Sequence, residues 1–165
     1  TASPLETKLI LGAKQAGLKG EELAQFLAQC AHETLDYQRM IERGGKNYFN
    51  KYERKKILGN VKAGDGIKYK GRGYIQLTGR DNYMRAGRAL GVDLINKPHL
   101  AADPDLAIKI ALWYWNSRVK PDLSDFSNTT EVTKQINSGL KGLQQRHQNF
   151  VEYISQAQKT EPNPG

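Results

Sequence analysis

A small set of side chains in this sequence is equipped for chemistry. His32 and Glu33 are adjacent, at the end of a stretch whose apolar residues repeat with helical spacing. A His-Glu pair on a helix is half of a zinc-protease motif. That motif needs a second histidine four residues after the first, and position 36 is Asp36. What remains is a carboxylate at the edge of an apolar stripe, which taken alone a solvated helix glutamate explains as well. Glu42 follows nine residues after Glu33. In one unbroken helix nine residues turn through about 900°, setting the two side chains on opposite faces. They can serve one substrate only if the helix ends between them, and the composition after Thr34 permits that. Paired carboxylates are what glycoside hydrolysis requires, one protonated to donate to the leaving oxygen and one ionised to activate water. Asp36, Glu53 and Asp65 compete for the second role.

The run Gly64-Asp65-Gly66-Ile67-Lys68-Tyr69-Lys70-Gly71-Arg72-Gly73-Tyr74-Ile75-Gln76-Leu77-Thr78-Gly79 is the other candidate. Glycines this dense allow tight turns and close approach of backbone to a ligand. The run matches neither the phosphate-loop pattern nor the dinucleotide fingerprint. Basic residues interleaved with Tyr69 and Tyr74 suit stacking on single-stranded nucleic acid. A basic hairpin with core tyrosines fits equally well.

The elements that must position these residues are mostly helical. Ser3-Pro4-Leu5-Glu6 reads as an N-cap, a first-turn proline and a capping-box glutamate, opening a helix to about Gln15 that stops at Gly17. The next helix starts near Gly20, with Leu23, Phe26, Leu27, Cys30 and Ala31 on one buried face. Residues 36–47 are expected to be irregular, with Asn47 capping a short helix over Tyr48–Leu58. The segment from Gly59 to Gly79 is the candidate for a small β element or an ordered loop. Helices are expected over Arg80–Leu90, ended by Gly91, and from Asp103-Pro104 through Asn116. Trp113 and Trp115 point about 200° apart there, so at most one sits centrally on a buried face. Helices over Thr130–Ile136 and Leu143–Gln158 follow, then a flexible tail over Lys159–Gly165.

The chain has 165 residues with 25 Lys and Arg against 17 Asp and Glu, a net charge of +8. One domain with a self-sufficient core fits that length. No apolar run approaches the ~18 residues of a membrane span, and Thr1-Ala2-Ser3-Pro4 shows no signal-peptide pattern. Cys30 is the single cysteine, so no intrachain disulfide forms; it is expected in the core, and its solitude fits a reducing compartment. Cys30, His32, His99 and His147 do not assemble into a metal-ligand pattern. The positive balance points to a polyanionic partner.

Taken together, Ala31-His32-Glu33-Thr34, then Glu42, then Gly71-Arg72-Gly73-Tyr74-Ile75-Gln76-Leu77-Thr78-Gly79 with Asn82-Tyr83, then Ile136-Asn137-Ser138-Gly139, resemble glycoside hydrolase family 19. That family holds plant-type chitinases and lysozyme-like endolysins of bacteriophages. The likeness runs in order from about residue 20 to 155. The Gly-Arg-Gly-x-Ile-Gln-Leu-Thr segment is its specific part, and the short spacing of the glutamates without disulfides resembles the endolysin branch. The resemblance implies a mainly α, lysozyme-like α+β fold, two helical lobes around a substrate cleft with a small β element. It implies Glu33 as general acid, Glu42 as general base and Thr78 as holder of the attacking water. Gln76, Asn82, Tyr74, Asn137 and Arg72 are then substrate-binding, and Arg146 falls where the family has an arginine in the catalytic hydrogen-bond network. Leu35-Asp36-Tyr37 replaces the usual Gly-Gly-aromatic, Ser138 stands where glycine is common, and Gln145 where Asp is usual. No cofactor and no metal are expected.

The implied reaction is inversion by a single displacement. Glu33 is expected to hold its proton through desolvation and the charge of Glu42; Glu42 is expected to stay ionised, helped by Arg43. His32 is expected to be structural. The substrate expected is bacterial peptidoglycan, cut between N-acetylmuramic acid and N-acetylglucosamine for host cell lysis. Lys62, Lys68, Lys70, Arg72 and Arg80 are expected to contribute attraction to the wall. The chain is expected to be a monomeric catalytic domain over residues 1–165 with no separate wall-binding domain, no nucleic-acid partner and no stable membrane insertion. It would be made in the host cytoplasm and act on the wall after release through a membrane pore protein. The rival readings are a chitinase acting on N-acetylglucosamine oligomers and a non-catalytic module binding glycan or nucleic acid.

Overall fold

A computed structural model describes residues 3–160. In chain order the elements are α1 (Pro4–Gln15), α2 (Gly20–Glu33), a single turn α3 (Lys46–Phe49), 3-10 turns at Asn50–Tyr52 and Lys56–Leu58, and a second single turn α4 (Asp65–Lys68). Then come α5 (Arg80–Leu90), a 3-10 segment (Pro98–Ala102) and α6 (Pro104–Tyr114), which passes into a π turn (Trp115–Val119) and a 3-10 turn (Lys120–Asp122). The last are α7 (Thr129–Ile136) and α8 (Leu143–Thr160). The fold is mainly α, as expected. None of the described helices is long and apolar enough to cross a membrane.

The chain divides into two compact units, Thr1–Tyr37 with Trp115–Gly165, and Gln38–Tyr114. In the first, α2 is the centre. Its residues from Ala24 to Ala31 are all buried, so it is not the one-faced helix that the spacing suggested. Ala24 and Ala28 present small side chains to α8, where Phe150 packs on them beside Tyr153 and Ile154. On another side Phe26 meets the edge of Trp115 at 5.4 Å. Trp115 is fully buried, its indole N–H donating to Glu22 at 2.9 Å, while Trp113 is only partly buried. Burying an aromatic or leucine side chain is worth ~2–3 kcal/mol, so Phe26, Leu27 and Trp115 anchor this unit. Cys30 lies in the same interior, where burial pushes its thiol well above the usual range. Ser3 caps α1 by accepting from the Glu6 N–H at 3.1 Å. The Glu6 carboxylate accepts from the Tyr153 hydroxyl.

The second unit is built around the glycine-rich run. Tyr69, Tyr74, Ile75 and Leu77 are buried with Phe49, Tyr83 and Leu94. The expected β element reduces to isolated antiparallel bridges, Ile41 with Arg72 and Arg72 with Leu77; Ile67 falls in α4 rather than in a strand. Arg72 and Leu77 exchange both backbone hydrogen bonds, and the Gly73 N–H reaches the Met40 carbonyl at 2.7 Å. Gly73 has φ +83°, and a Cβ there would stand 2.8 Å from the Ala101 carbonyl oxygen, so no other residue fits.

Local differences have local causes. The short helix expected over Tyr48–Leu58 starts at Lys46 with Gly45, not Asn47, at its N-cap, and it breaks where Glu53 is extended and Arg54 left-handed (φ 55°). Leu35, Asp36 and Tyr37 are consecutively left-handed, at φ 51°, 60° and 65°. Each costs an L-residue about 1–2 kcal/mol, which explains why a Gly-Gly pair is at home there. The Asp103-Pro104 helix is α-helical only to Tyr114, with Asn116 in the π turn. Lys159 and Thr160, assigned to the tail, continue α8; the remaining tail residues 161–165 lie outside the described residues.

Candidate active site

Glu33 ends α2, and the chain leaves the helix at once through the left-handed turn. Its carboxylate, 19% exposed, meets a cation: Arg146 Nη2 donates to Glu33 Oε1 at 2.9 Å. Arg146, on α8, is itself only 1% exposed. Its Nη1 donates to Gln29 Oε1 at 2.6 Å and its Nε to the Lys141 carbonyl at 2.9 Å. Gln29 passes the chain on, donating to Thr133 Oγ1 at 3.1 Å, and one helical turn back Gln25 donates to Thr129 Oγ1 at 3.1 Å. A ladder of buried amides and hydroxyls thus joins α2 to α7, and the guanidinium ties its end to Glu33. Such networks fix a side chain in one rotamer because every alternative leaves a buried polar atom unpaired. The sequence reading expected an apolar wall and a second carboxylate around Glu33. The contact found is a guanidinium, which stabilises the charged form of a carboxylate.

His32 is half-buried against Gly142. Burial, and then the charge of Arg146, hold its imidazole below the usual histidine range, so it is neutral at pH 7. Asn137 ends α7, and its Oδ1 accepts from the Gly139 N–H at 3.1 Å and the Lys141 N–H at 3.4 Å. Those bonds shape the loop whose Lys141 carbonyl receives Arg146.

In the second unit Glu42 is set by main chain. Its N–H donates to the Gly71 carbonyl at 2.8 Å, and the Gly71 N–H returns to Glu42 Oε1 at 3.0 Å. Tyr48 and Tyr52 both donate to Oε2 at 2.8 Å, and Lys51 Nζ stands 3.9 Å away. The two tyrosines are four residues apart across the junction of α3 and the following turn. Gly71 brings the remaining groups together. A Cβ on it would lie 2.8 Å from Gln76 Oε1, 3.1 Å from Glu42 Oε1 and 3.4 Å from Thr78 Oγ1, so only glycine leaves room for these three oxygens. Thr78 spends its hydroxyl proton on the Gln76 carbonyl at 2.9 Å. Its oxygen is therefore left as an acceptor. Asn82 donates to the Thr78 carbonyl at 2.9 Å.

Glu42, Thr78 and Gln76 are thus gathered around one glycine, with Asn82 bonded to the Thr78 carbonyl behind them. The structure corrects two other assignments. Tyr74 is fully buried and Arg72 is 8% exposed. The Arg72 guanidinium is used on the Lys68 carbonyl and the Tyr83 hydroxyl, and Tyr83, its phenol pushed up to about 12 by burial, donates to the Lys70 carbonyl. Both residues build the loop instead of facing a ligand. Arg80 is likewise committed, to Asp65 at 2.8 Å. That pair removes Asp65 as a rival carboxylate. Glu53 is removed too, because it accepts from the Gly64 and Gly66 N–H groups at 2.9 Å each.

Sequence reasoning missed Gln29, Tyr48 and Tyr52, and took Gly71 only as one glycine of the run. A signal for Gln29 existed: Gln25, Gln29 and Glu33 recur every four residues through a helix that is otherwise buried. The tyrosines carried no such mark.

The chain is similar to known proteins. The Glyco_hydro_19 family model, described as chitinase class I, matches residues 10–133. The chain is 37% identical over 151 residues to a glycosyl hydrolase family 19 domain-containing protein of Haemophilus influenzae, covering 74% of each. It is 37% identical over 123 residues to endochitinase EP3 of Arabidopsis thaliana, covering 73% of this chain and 42% of that protein. It therefore spans less than half the length of that plant relative. Among solved structures, chitinase C from Streptomyces griseus superposes with a TM-score of 0.70 at 30% identity, covering 94% of this chain and 84% of that one. The matched span includes Glu33, Glu42 and the loop around Gly71, and on these grounds the chain belongs to glycoside hydrolase family 19.

Proposed function

We propose that the protein is a peptidoglycan hydrolase of lysozyme type, cutting the β-1,4 bond between N-acetylmuramic acid and N-acetylglucosamine by single displacement. Glu33 acts as general acid. Its proton passes to the glycosidic oxygen as the bond from that oxygen to the anomeric carbon breaks. Water attacks the same carbon from the opposite face and gives its proton to Glu42, so the anomeric centre inverts. Arg146 holds the Glu33 carboxyl through Oε1. Glu42 has about four lone-pair positions, of which Gly71, Tyr48 and Tyr52 take three. The fourth receives a proton of the water. Thr78 Oγ1, its own proton committed to Gln76, accepts the other, which turns a lone pair of the water outward for attack. Gln76 and Asn82 hold that corner, and Asn137 shapes the loop under Arg146.

The observation that carries peptidoglycan over a neutral polymer is where the charge lies. Residues 42–72 hold ten Lys or Arg against three Asp or Glu, nearly the whole excess of the chain. Peptidoglycan bears carboxylates; chitin bears none. A chitinase acting on N-acetylglucosamine oligomers is the second reading, favoured by the names of the plant relatives and of the Streptomyces enzyme. In the first reading the enzyme is of the phage endolysin branch, made in the bacterial cytoplasm and reaching the wall through a pore formed by another protein. The buried free Cys30 suits such a reducing origin.

The test is mass spectrometry of digested, borohydride-reduced peptidoglycan, with Glu33→Gln as control. Reduced muramic-acid ends from the wild type alone are expected. Reduced glucosamine ends would move the cut to the other bond. Products from chitin oligomers but none from peptidoglycan would replace the first reading by the second.

A further inference from the structure

Beside Glu42 lies a pocket of about 510 Å³ lined by Arg39, Met40, Ile41, Arg43 and Lys70. Its floor is well fixed, since residues 40–42 are pinned to the Gly71–Gly73 backbone by the Glu42 and Gly73 amides and by the Ile41 to Arg72 bridge. Arg39 and Arg43 are exposed and Lys70 partly so. Three other cations of this unit are spent internally: Arg80 on Asp65, Arg72 on the Lys68 carbonyl and Tyr83, Lys51 beside Glu42. Among the described residues, Arg39, Arg43 and Lys70 make no ion pair, and Lys70 Nζ lies 5.3 Å from the Phe49 ring. Three cations against the one carboxylate of Glu42 leave the pocket positive. Converging charges of one sign in a concave surface attract the opposite sign, and arginine forks suit carboxylates in particular.

The geometry points to this pocket as an anion subsite that takes a carboxylate carried by the muramic-acid side of the substrate, and so selects an acidic glycan over a neutral one. The inference rests on the reading of the chain as a peptidoglycan hydrolase and assigns residues to its specificity. An N-acetylglucosamine polymer has no group that these three cations would recognise. A stem-peptide or lactyl carboxylate has, and the cations outweigh its repulsion by Glu42.

The test compares sacculi freed of wall phosphate polymers with the same sacculi after their carboxyl groups are converted to amides by carbodiimide and ammonia. The rate of new reducing ends is measured at limiting substrate. Three proteins are used: wild type, the combined Arg39→Ala, Arg43→Ala, Lys70→Ala variant, and a Lys14→Ala, Lys97→Ala, Lys109→Ala variant that removes equal charge from exposed positions elsewhere. Two exposed ion pairs of ordinary strength amount to about a tenfold preference for native over amidated sacculi. The wild type and the second variant should show it, and the pocket variant should fall to about onefold. Strands trimmed by an amidase keep only the lactyl carboxylate. In sacculi the lactyl carboxyl is tied in an amide to the stem peptide, so a preference there reads peptide carboxylates. The same preference on trimmed strands extends the subsite to the lactyl group, and its loss confines it to the stem peptide. Equal wild-type rates on native and amidated sacculi would overturn the subsite alone, as would equal loss in both variants. No reducing ends from either form would overturn the hydrolase reading, and the subsite with it.

Discussion

Arg146→Met tests whether the guanidinium is the keystone of the Glu33 environment. Methionine fills the aliphatic volume but donates nothing, so three hydrogen bonds are lost, to Gln29 Oε1, the Lys141 carbonyl and Glu33 Oε1. Gln29 is fully buried, and an abandoned buried acceptor costs about 1–3 kcal/mol. Glu33 is 19% exposed, so water partly replaces its lost partner. Breaking a buried charged network by removing one member costs about 3–5 kcal/mol in all. For a chain of this length each kcal/mol moves Tm by about 2–4 °C, so a fall of roughly 10–15 °C is expected. Urea unfolding followed by circular dichroism gives the free energy directly. The decisive variant is the double, Arg146→Met with Gln29→Leu. With the Gln29 acceptor gone, the cost of leaving it unpaired is no longer incurred, so the pair should cost about 1–2 kcal/mol less than the two singles added. Strict additivity, or a loss below about 1 kcal/mol for Arg146→Met, would refute the network.

Gly71→Ala should leave the fold nearly intact, because the closest atom to the new methyl is the amide oxygen at the far end of the Gln76 side chain, which can turn aside at the cost of its bonds to the Gly73 and Met40 carbonyls. Glu42, held by its three donors, cannot retreat in the same way, so kcat should fall by about 100-fold with Tm changed by only a few degrees; full turnover would remove Gly71 from the water site. Acid stability should follow Asp65, whose carboxyl is held below the usual range chiefly by the hydrogen bond from Arg80. The folded state then binds fewer protons than the unfolded one. The stabilisation is complete above the unfolded value of about 3.9 and drains away as pH falls below it. Asp65→Asn should be less stable at pH 6 and show a shallower loss between pH 4 and 2. An unchanged acid limb in urea titrations would dismiss the pair as the cause.

Helix starts and stops were legible because capping is local: Ser3, Asp103-Pro104 and Gly91 each act on their own few residues. The loop from Gly59 to Gly79 was not, because its conformation is set by partners distant in sequence. Arg72 bonds Leu77, Gly73 bonds Met40, and Asn60 accepts from Arg80 while donating to Tyr52. Alternating Ile67, Tyr69 and Ile75 therefore read as strand, where burial of Tyr69 and Tyr74 within a coil decided the outcome. Glu33 and Glu42 were visible as residue types, whereas Tyr74 and Arg72 were misplaced because exposure cannot be read from a motif.

The surroundings of Glu33 and Glu42 look inverted for their proposed roles, the acid beside a guanidinium and the base beside two phenols. The difficulty lessens when the reaction is followed through the proton. A general acid starts neutral and ends as a carboxylate, so negative charge grows on Glu33 while the glycosidic bond breaks. A fixed cation at 2.9 Å interacts weakly with the protonated acid and strongly with that developing charge, which lowers the barrier rather than the ground state. The same cation makes the resting proton harder to keep, and a useful acid lies between the two demands. Glu42 gains a proton and loses charge, so a cation in direct contact would oppose it; neutral donors from Tyr48, Tyr52 and Gly71 orient it, and the Lys51 ammonium stands off at 3.9 Å. In this account Arg146→Met, whatever its stability, should lower kcat and move the alkaline limb of the rate profile to higher pH, since the acid then keeps its proton longer. A lower kcat with an unmoved limb would leave Arg146 as scaffold only.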